Sequence, residues 1–337
     1  MPIVKISDES IRQAAALLTR GGLVAFPTET VYGLGGDAFN SLSLARIFEV
    51  KRRPRFDPLI IHIAAFETLE KAADLSLLDS TAKKNLAALT KQFWPGPLTL
   101  ILPKQKTIPD IATSGLPTVA VRLPGHDAAR RLIALSSGAV AAPSANPFGY
   151  LSPTKAEHVA EMLGEKIEII LDGGPSRFGV ESTVLDISGG QPRILRHGGT
   201  PKEAIEALIG PVAGGPAVGD NPASPGLLKS HYAPRTPLLT HNGMPPRQPE
   251  VEGTAFLFFD GASRDRWLAA RQAEQKPSAI AVLSETGNLP EAAARLFETL
   301  HELDRPEIKR IYAQYAPQEG LGAAINDRLS RASAVNI

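Results

Sequence analysis

Short apolar runs and longer amphipathic segments alternate along most of this 337-residue chain. Apolar runs of about 4 to 8 residues are typical of buried strands, and segments with helical periodicity are typical of helices packed against them. The alternation therefore predicts an α/β fold. Before residue 211 the predicted strands cover residues 23–26, 59–64, 98–102, 118–122, the neighbourhood of 140, 168–171, 183–187 and 193–195. The predicted helices cover residues 8–20, 42–51, 66–92, 125–135, 154–163 and 201–209.

The alternation is interrupted between residues 211 and 235, where proline and glycine recur and no apolar periodicity remains. Such a composition is typical of a linker. Because the chain exceeds the length at which one core usually keeps growing, we predict two domains, residues 1–210 and 236–337, joined by residues 211–235. The second is predicted to be a small Rossmann-like α/β domain. Its predicted strands cover 255–259, 279–283 and 309–313, and its predicted helices cover 263–271, 290–303 and 320–332.

Hydrophobic residues make up 43% and charged residues 21% of the chain, which is the composition of a soluble globular protein. Cysteine is absent, which excludes disulfides and thiolate metal sites and favours the cytoplasm. No apolar run approaches the roughly 18 residues of a membrane-spanning helix, and the N-terminus lacks the pattern of a signal peptide. We therefore predict neither export nor membrane insertion. The seven histidines lack metal-ligand spacing, so no protein-held metal is predicted.

A dense basic cluster lies at the predicted end of a helix, where Pro54 stops it. Its members are Lys51, Arg52, Arg53 and Arg55. One interpretation is a solvated helix end whose cations complement the helix dipole. The other is a triphosphate site, because lysine offers a point charge and arginine a planar fork to phosphate oxygens. The net charge of the chain is only +1, which predicts no broad nucleic-acid-binding surface, so any anion site must be local.

Further polar residues follow or interrupt predicted strands and are candidates for ligand contact. Ser152 and Thr154 precede a predicted helix, where their hydroxyls either cap the helix or join its free N–H groups in an anion site. Residues 172–183 join two predicted strands through a loop longer than a turn requires, which fits a binding loop or a wide hairpin. His62 lies inside an apolar strand, as either a satisfied core residue or a ligand contact.

Seven segments, in this order, resemble the YrdC-like threonylcarbamoyl-AMP synthase family. They are FPTETVYGLG (26–35), KRRPRFDPLIIHI (51–63), WPGPLTLIL (94–102), TVAVRLP (118–124), APSAN (142–146), SPTKAEHV (152–159) and GVESTVLDI (179–187). Two more segments, SPGLLKSHYAPRTPL (224–238) and GLGAAINDRLSRASA (320–334), resemble the longer two-domain form of the family. The resemblance covers nearly the whole chain. It implies a large domain with a twisted mixed sheet, and a linker that folds back over the nucleotide.

The resemblance implies a nucleotidyltransferase that makes threonylcarbamoyl-AMP and pyrophosphate from L-threonine, bicarbonate and ATP. The product would pass to a tRNA threonylcarbamoyl-transferase, which modifies the adenosine next to the anticodon. ATP is expected as a substrate whose magnesium ion is held mainly by the phosphates. A cytoplasmic monomer without tight nucleic-acid binding is expected.

Matching positions imply two sets of site residues. ATP is expected to contact Arg53, Asp57, Thr118, Ser144, Ser152, Arg196 and Tyr232. Threonine is expected to contact Thr30, His62, Arg122, Ala142 and Ser182. Asp57 stands where the family commonly has asparagine, and a carboxylate would repel a triphosphate unless it faced ribose or magnesium.

The chemistry that the resemblance implies gives some of these residues specific roles. Lys51 and Arg53 are the expected catalytic cations, because a carbamate oxygen must approach the α-phosphorus and both are anionic. No covalent enzyme intermediate is expected. Arg122 is expected to bind the threonine carboxylate as a fork. His62 is a hypothetical acceptor of the proton of the substrate ammonium.

Two other functions compete with the synthase. An RNA-binding module would bind RNA with an affinity that falls steeply with salt. An amino-acid-activating ligase would form an aminoacyl-adenylate without bicarbonate.

Overall fold

The computed structural model describes residues 3–215, 231–243, 245, 252–270 and 276–334. Contacts between Cα atoms divide the chain into two compact units. The first consists of residues 1–148, 153–177 and 181–227, and the second of residues 149–152, 178–180 and 228–337. Most of the predicted linker, residues 216–230, lies outside the described residues.

Within the described residues, the first unit contains an eleven-stranded mixed sheet. Its strands are β1 (Ile3–Lys5), β2 (Val24–Phe26), β3 (Gly33–Asp37), β4 (Ile60–Ile63), β5 (Leu98–Pro103), β6 (Thr118–Arg122), β7 (Ala139–Ala141), β8 (Ile169–Asp172), β9 (Thr183–Asp186), β10 (Arg193–Arg196) and β11 (Ala213–Gly214). Their spatial order is β1-β8-β2-β3-β7-β4-β6-β5-β9-β10-β11. Because β8 pairs with β1 and β2 whereas β9 pairs with β5 and β10, the loop at 172–183 does not close a hairpin.

The helices of the first unit begin in different ways, and side chains cap only some of them. They are α1 (Asp8–Thr19), α2 (Ser41–Lys51), α3 (Ser80–Phe93), α4 (Asp110–Thr113), α5 (Asp127–Leu135), α6 (Ala156–Leu163) and α7 (Lys202–Ile209). Ser7 forms a capping box with Ser10 at the start of α1, and the Asn40 side chain caps α2.

Two of the helix predictions need correction. The segment predicted as helical over 66–92 is two 3-10 turns, Phe66–Lys71 and Leu75–Leu77, followed by α3. The helix predicted from Thr154 begins at Ala156, with Lys155 at its N-cap and no side-chain capping bond. Neither Ser152 nor Thr154 therefore caps it.

Apolar side chains cover both faces of the large sheet. One cluster packs α1 and α5 against alternate residues of the neighbouring strands, such as Val24, Phe26 and Val140. The largest cluster packs α2, α3, α6 and α7 against the other face, where Ala25 and Ala141 lie. Since successive strand side chains point to opposite faces, these strands are buried on both sides and read as continuous apolar runs.

The second unit contains, within the described residues, a four-stranded parallel sheet in the order β12-β15-β13-β14. Its strands are β12 (Leu238–His241), β13 (Thr254–Asp260), β14 (Ala279–Ser284) and β15 (Arg310–Gln314), and its helices are α8 (Gly261–Ala269), α9 (Leu289–Leu303) and α10 (Gly322–Ser333). The Rossmann-like α/β prediction is confirmed. The sequence predicted three strands and missed β12. In the part of the chain that the structure covers, no helix is long and apolar enough to cross a membrane.

Candidate active site

The residues predicted to contact threonine gather on one face of the large sheet. Side chains alternate along a strand, so His62 points to the same side as Ile60, and Arg122 to the same side as Ala120. The two polar residues are register partners across β4 and β6. The same face carries a small cluster of strand residues, namely Ile60, Ile101, Ala120, Val184 and Leu195. The polar side chains of His62 and Arg122 thus lie on the same sheet face as an apolar cluster of strand residues.

Arg122 is the centre of a polar cluster at the end of β6. Its Nη1 donates to Thr30 Oγ1 at 2.9 Å, its Nη2 to Glu29 Oε1 at 2.6 Å, and its Nε to the Gly96 carbonyl at 3.2 Å. Thr30 Oγ1 also lies 2.9 Å from Thr28 Oγ1. A guanidinium carries more N–H donors than these contacts use, which leaves donors for a ligand carboxylate. The structure therefore brings Thr30 and Arg122, both predicted to hold threonine, into direct contact.

Glu29 is the buried counter-charge of Arg122. Only 7% of the residue is exposed. The backbone of Gly125 packs so closely that a Cβ there would lie 3.2 Å from Glu29 Cδ. Burial raises the pKa of Glu29, but the charge and hydrogen bond of Arg122, together with the backbone of Gly125 and of Glu29 itself, outweigh burial and hold this pKa below its ordinary value. The carboxylate is therefore ionised at neutral pH.

His62 lies beside Arg122 in the sheet and is buried. Its Nδ1 is 3.2 Å from the Ile60 carbonyl, which fits an Nδ1–H donor and leaves Nε2 as an acceptor. Burial, reinforced by the charge of Arg122, lowers the pKa of His62 to about 3. A neutral imidazole suits a hydrogen-bond contact with a substrate. Its low basicity disfavours the hypothesis that it accepts a proton from the ammonium group.

Ser182 and Arg196 form a second polar cluster at the start of β9. The hydroxyl oxygens of Ser182 and Thr99 lie 2.8 Å apart. Arg196 Nη2 donates to Ser182 Oγ at 3.1 Å and to the Ser182 carbonyl at 2.9 Å. Ser182 was predicted to contact threonine and Arg196 to contact ATP, so members of the two predicted sets touch. Sequence analysis missed Thr99, although a hydroxyl inside an apolar strand was a usable signal.

Lys51, the last residue of α2, has its amino group enclosed by the segment after β7. Only 1% of the residue is exposed. Its Nζ donates to the carbonyl of Ser144 at 2.6 Å and to the carbonyl of Asn146. Burial lowers the pKa of Lys51 well below its ordinary value; Arg53 acts in the same direction and Asp57 opposes them. A ligand anion at this point would favour the charged form of the amine.

Arg53 and Asp57 form a buried ion pair, with side chains 3% and 1% exposed. Arg53 Nη2 lies 2.9 Å from Asp57 Oδ2. The guanidinium also donates to the carbonyls of Asp57 and Pro58, at 3.0 and 2.8 Å. Burial raises the pKa of Asp57 above its ordinary value, although Arg53, Lys51 and Arg196 act in the opposite direction. The 2.9 Å contact is an ion pair without hydrogen-bond geometry, since Arg53 Nη2 donates to the Pro58 carbonyl, and within the described residues neither Asp57 carboxylate oxygen has a hydrogen-bond partner.

The basic cluster divides into two pairs. Arg52 and Arg55 are exposed, whereas Lys51 and Arg53 are buried. The interpretation as a solvated helix end therefore fits Arg52 and Arg55, and the interpretation as an anion site fits Lys51 and Arg53.

The other predicted residues of the first unit lie on or beside the same sheet. Thr118 begins β6 and points to the face that Arg122 occupies. Ala142 follows β7, and its N–H donates to the Ile60 carbonyl at 2.9 Å. Ser144 holds Lys51 through its carbonyl. Within the described ranges, no group of three or more His, Cys, Asp or Glu side chains could hold a metal ion.

Ser152 and Tyr232, both predicted to contact ATP, belong to the second unit. His301 Nε2 lies 3.2 Å from the Ser152 carbonyl. The Tyr232 ring is buried, packs against the Phe297 ring at a centroid distance of 5.7 Å, and has the Arg328 guanidinium carbon 5.1 Å from its centroid. Within this unit, both residues are held by the α9 and α10 helices.

Two family models match the chain and together span nearly all of it. The Sua5/YciO/YrdC model, described as "Telomere recombination", matches residues 16–198. The model described as "Threonylcarbamoyl-AMP synthase, C-terminal domain" matches residues 200–334.

Full-length relatives carry a consistent name. A protein of Pyrococcus abyssi named threonylcarbamoyl-AMP synthase is 42% identical over 340 residues, which covers 99% of this chain and 96% of the relative. A protein of Bacillus subtilis with the same name is 43% identical over 333 residues, which covers 97% of this chain and 94% of the relative. The crystal structure of P. abyssi Sua5 complexed with L-threonine matches with a TM-score of 0.86 at 40% identity, and covers 99% of this chain and 98% of that one.

Proposed function

The chain belongs to the Sua5/YciO/YrdC family, in the long two-domain form of threonylcarbamoyl-AMP synthase, and we propose that it makes threonylcarbamoyl-AMP and pyrophosphate from L-threonine, bicarbonate and ATP. One observation carries this proposal. Arg196 touches Ser182 of the predicted threonine set, and its charge acts on Asp57, the ion-pair partner of Arg53. A site for an amino acid thus continues into a buried group of cations suited to phosphate.

The first step joins threonine to bicarbonate. The threonine carboxylate binds the remaining N–H donors of Arg122 as a fork, while Thr30 and neutral His62 contact the rest of the amino acid. Held in this way, the amine faces the carbon of bicarbonate. The ammonium and bicarbonate become a carbamate, one water molecule and one proton, and that proton leaves to solvent.

The second step transfers the adenylyl group. A carbamate oxygen forms a bond to the α-phosphorus as the bond from that phosphorus to pyrophosphate breaks. Lys51 and Arg53 neutralise charge where the two anions meet, so the catalysis is electrostatic and needs no protein nucleophile. The magnesium ion arrives with ATP as part of the substrate, held mainly by phosphate oxygens.

The remaining parts of the proposal follow from the family. Nucleotide contacts are assigned to Arg53, Asp57, Thr118, Ser144, Ser152, Arg196 and Tyr232. The product passes to a tRNA threonylcarbamoyl-transferase that modifies the adenosine next to the anticodon. The enzyme works in the cytoplasm as a monomer without tight nucleic-acid binding.

Pyrophosphate release provides the test. Purified protein with magnesium and ATP is assayed with threonine and bicarbonate together, and with each omitted in turn. The synthase is expected to release pyrophosphate only when both are present, because the attacking carbamate contains both. No RNA should be needed.

The outcomes separate the competing functions. Pyrophosphate release without bicarbonate would identify an aminoacyl-adenylating ligase and reject the synthase. Absence of turnover, together with tight salt-sensitive binding of RNA, would favour the RNA-binding module.

A further inference from the structure

Glu29 Oε2 is one of several buried side-chain oxygens of the first unit that have no hydrogen-bond partner among the described residues. Glu29 Oε1 accepts from Arg122 at 2.6 Å, and the backbone of Gly125 and of Glu29 lies near enough to lower the pKa of the carboxylate, but Glu29 Oε2 has no hydrogen-bond partner among the described residues. Nearby His126, whose Nδ1 is also buried without a partner there, makes no hydrogen bond to it. Buried polar atoms are nearly always satisfied, and an unsatisfied charged oxygen is especially costly. An oxygen in this state is suited to a donor that a ligand brings.

The charge of Glu29 defines that donor. Arg122 keeps the carboxylate ionised despite burial. An anionic acceptor in a buried setting favours a positively charged N–H donor over a neutral one. The partner that suits this oxygen is therefore a positively charged N–H donor, brought to a carboxylate that already contacts Arg122.

The position of Glu29 matches the chemistry of an amino acid. Its neighbour Arg122 has N–H donors to spare for a carboxylate, and Glu29 has a lone oxygen to spare for an ammonium. The two side chains are in contact, and the carboxylate and ammonium of an α-amino acid are bonded to one carbon. Arg122 and Glu29 thus offer opposite charges side by side to the two charged groups of one zwitterion.

We propose that Glu29 Oε2 accepts a hydrogen bond from the α-ammonium group of the threonine substrate and selects α-amino acids over hydroxy acids. This inference rests on the proposed function, because it assigns one group of that substrate. It adds Glu29 to the expected threonine contacts Thr30, His62, Arg122, Ala142 and Ser182. Glu29 binds the ammonium before carbamate formation, and the charge on its partner is lost when the nitrogen becomes the uncharged N–H of the anionic carbamate.

Calorimetric binding of two ligands tests the proposal on the full-length protein. L-threonine carries the ammonium group, whereas 3-hydroxybutyrate keeps the carboxylate and hydroxyl but lacks nitrogen. Glu29→Gln preserves shape and removes charge. We expect it to weaken threonine binding about 10-fold or more and to leave 3-hydroxybutyrate binding within about 2-fold, because only threonine loses a charged hydrogen bond.

A matched control removes another carboxylate of the first unit, one that lies just before β8. Glu168 pairs with Arg46 at 2.8 Å and accepts from the Leu23 N–H, and it belongs to neither predicted set. Glu168→Gln should leave both affinities unchanged. If Glu29→Gln fails to fold, Glu29→Asp serves instead. This variant keeps the negative charge but moves the carboxylate oxygen back by one methylene group, so it should weaken the binding of threonine and not that of 3-hydroxybutyrate.

Three results would overturn the inference. Unchanged threonine binding by folded Glu29→Gln would do so, since the oxygen would then not meet the substrate. If the substitution weakened the binding of both ligands equally, the role of Glu29 would be to position Arg122 and not to contact the ammonium group. Failure of the unaltered protein to bind threonine would reject the proposed function as well, which distinguishes the two failures.

Discussion

Charged side chains are costly to bury unless they are paired, and those of the first unit are paired unequally. Arg122 has a carboxylate, a hydroxyl and a carbonyl as partners. Lys51 has two carbonyls as partners, and burial lowers its pKa well below its ordinary value, with the charge of Arg53 acting in the same direction. The charges of Lys51, Arg53 and Arg196 all act on one carboxylate, that of Asp57. A polyphosphate bound among these three residues would bring further negative charge to them.

His62 makes stability depend on pH in a defined direction. Its pKa is about 3 in the native protein and about 6.5 when unfolded, so between these values the unfolded chain binds more protons. The stabilisation that comes from keeping His62 neutral is complete above pH 6.5 and is lost as the pH falls toward 3. Urea unfolding should therefore show that, between pH 6.5 and 4.5, the free energy of unfolding of the unaltered protein falls more steeply than that of His62→Gln, by about 1.4 kcal/mol per pH unit. Parallel stability curves would contradict the lowered pKa.

Residue identities at the site were largely predictable, but their backbone partners were not. Motif positions identified Thr30, His62, Arg122 and Ser182, and the structure brings them to one sheet face. The carbonyls of Gly96 and Asn146, which hold Arg122 and Lys51, carry no sequence signal because any residue has a carbonyl. Which carbonyl points inward depends on strand register, and register is a property of the assembled sheet.

At the scale of elements, the glycine-rich strand β3 is one that the sequence analysis did not predict. Residues 33–37 have low strand propensity, so sequence analysis predicted no strand there. In the structure, a Cβ on Gly35 would lie 2.7 Å from Phe26 Cε1 and 2.9 Å from Val140 Cγ1. Glycine is required because neighbouring large side chains fill the space above it. The short β1 and β12 were missed because so few residues carry too little periodicity to stand out.

The end of α2 separates the exposed Arg52 from the buried Lys51 and Arg53 of the basic cluster. The Arg52 N–H bonds to the Glu49 carbonyl and the Arg53 N–H to the Phe48 carbonyl, which is a Schellman arrangement with Arg52 in the left-handed region at φ 53°. Because glycine adopts this conformation without strain, Arg52→Gly should raise the free energy of unfolding by about 1 kcal/mol and leave turnover unchanged.

The buried neighbour Arg53 provides the contrast. Arg53→Lys keeps the charge but loses the planar fork, and should lower kcat/KM for ATP about 10-fold or more. Steady-state kinetics and urea unfolding of Arg52→Gly and Arg53→Lys test whether Arg52 affects only stability and Arg53 affects catalysis. Equal loss of activity in the two would contradict it.

At the scale of the whole molecule, the second unit is discontinuous in sequence. It includes residues 149–152 and 178–180, which no change of composition marks. Asp304, just after α9, accepts a hydrogen bond from the Tyr150 hydroxyl and from the N–H groups of Arg235 and Thr236. Burial alone would raise the pKa of Asp304, but these hydrogen bonds lower it below its ordinary value. A carboxylate far along the chain thus fixes a segment that precedes it by about 150 residues.

Tyr150→Phe should therefore destabilise the second unit by about 1.5 to 3 kcal/mol, the range for hydrogen bonds to charged groups. The chain has two tryptophans, Trp94 in the first unit and Trp267 in the second. In a Trp94→Phe background, urea unfolding followed by Trp267 fluorescence reports the second unit alone. Tyr315→Phe, which removes an exposed hydroxyl contact with Ser330, is the matched control. An equally small effect of both changes would show that the Asp304 contact is dispensable.

The order of strands in the large sheet also bears on how the chain is made. β7 lies between β3 and β4, and β8 lies between β1 and β2, although both are synthesised after their neighbours. A nascent chain that has released only the residues before β7 therefore holds two open gaps in its sheet. Such non-local pairing slows folding and leaves strand edges exposed to wrong partners. Residue 172 is consequently the earliest point at which that half of the sheet can close on the ribosome.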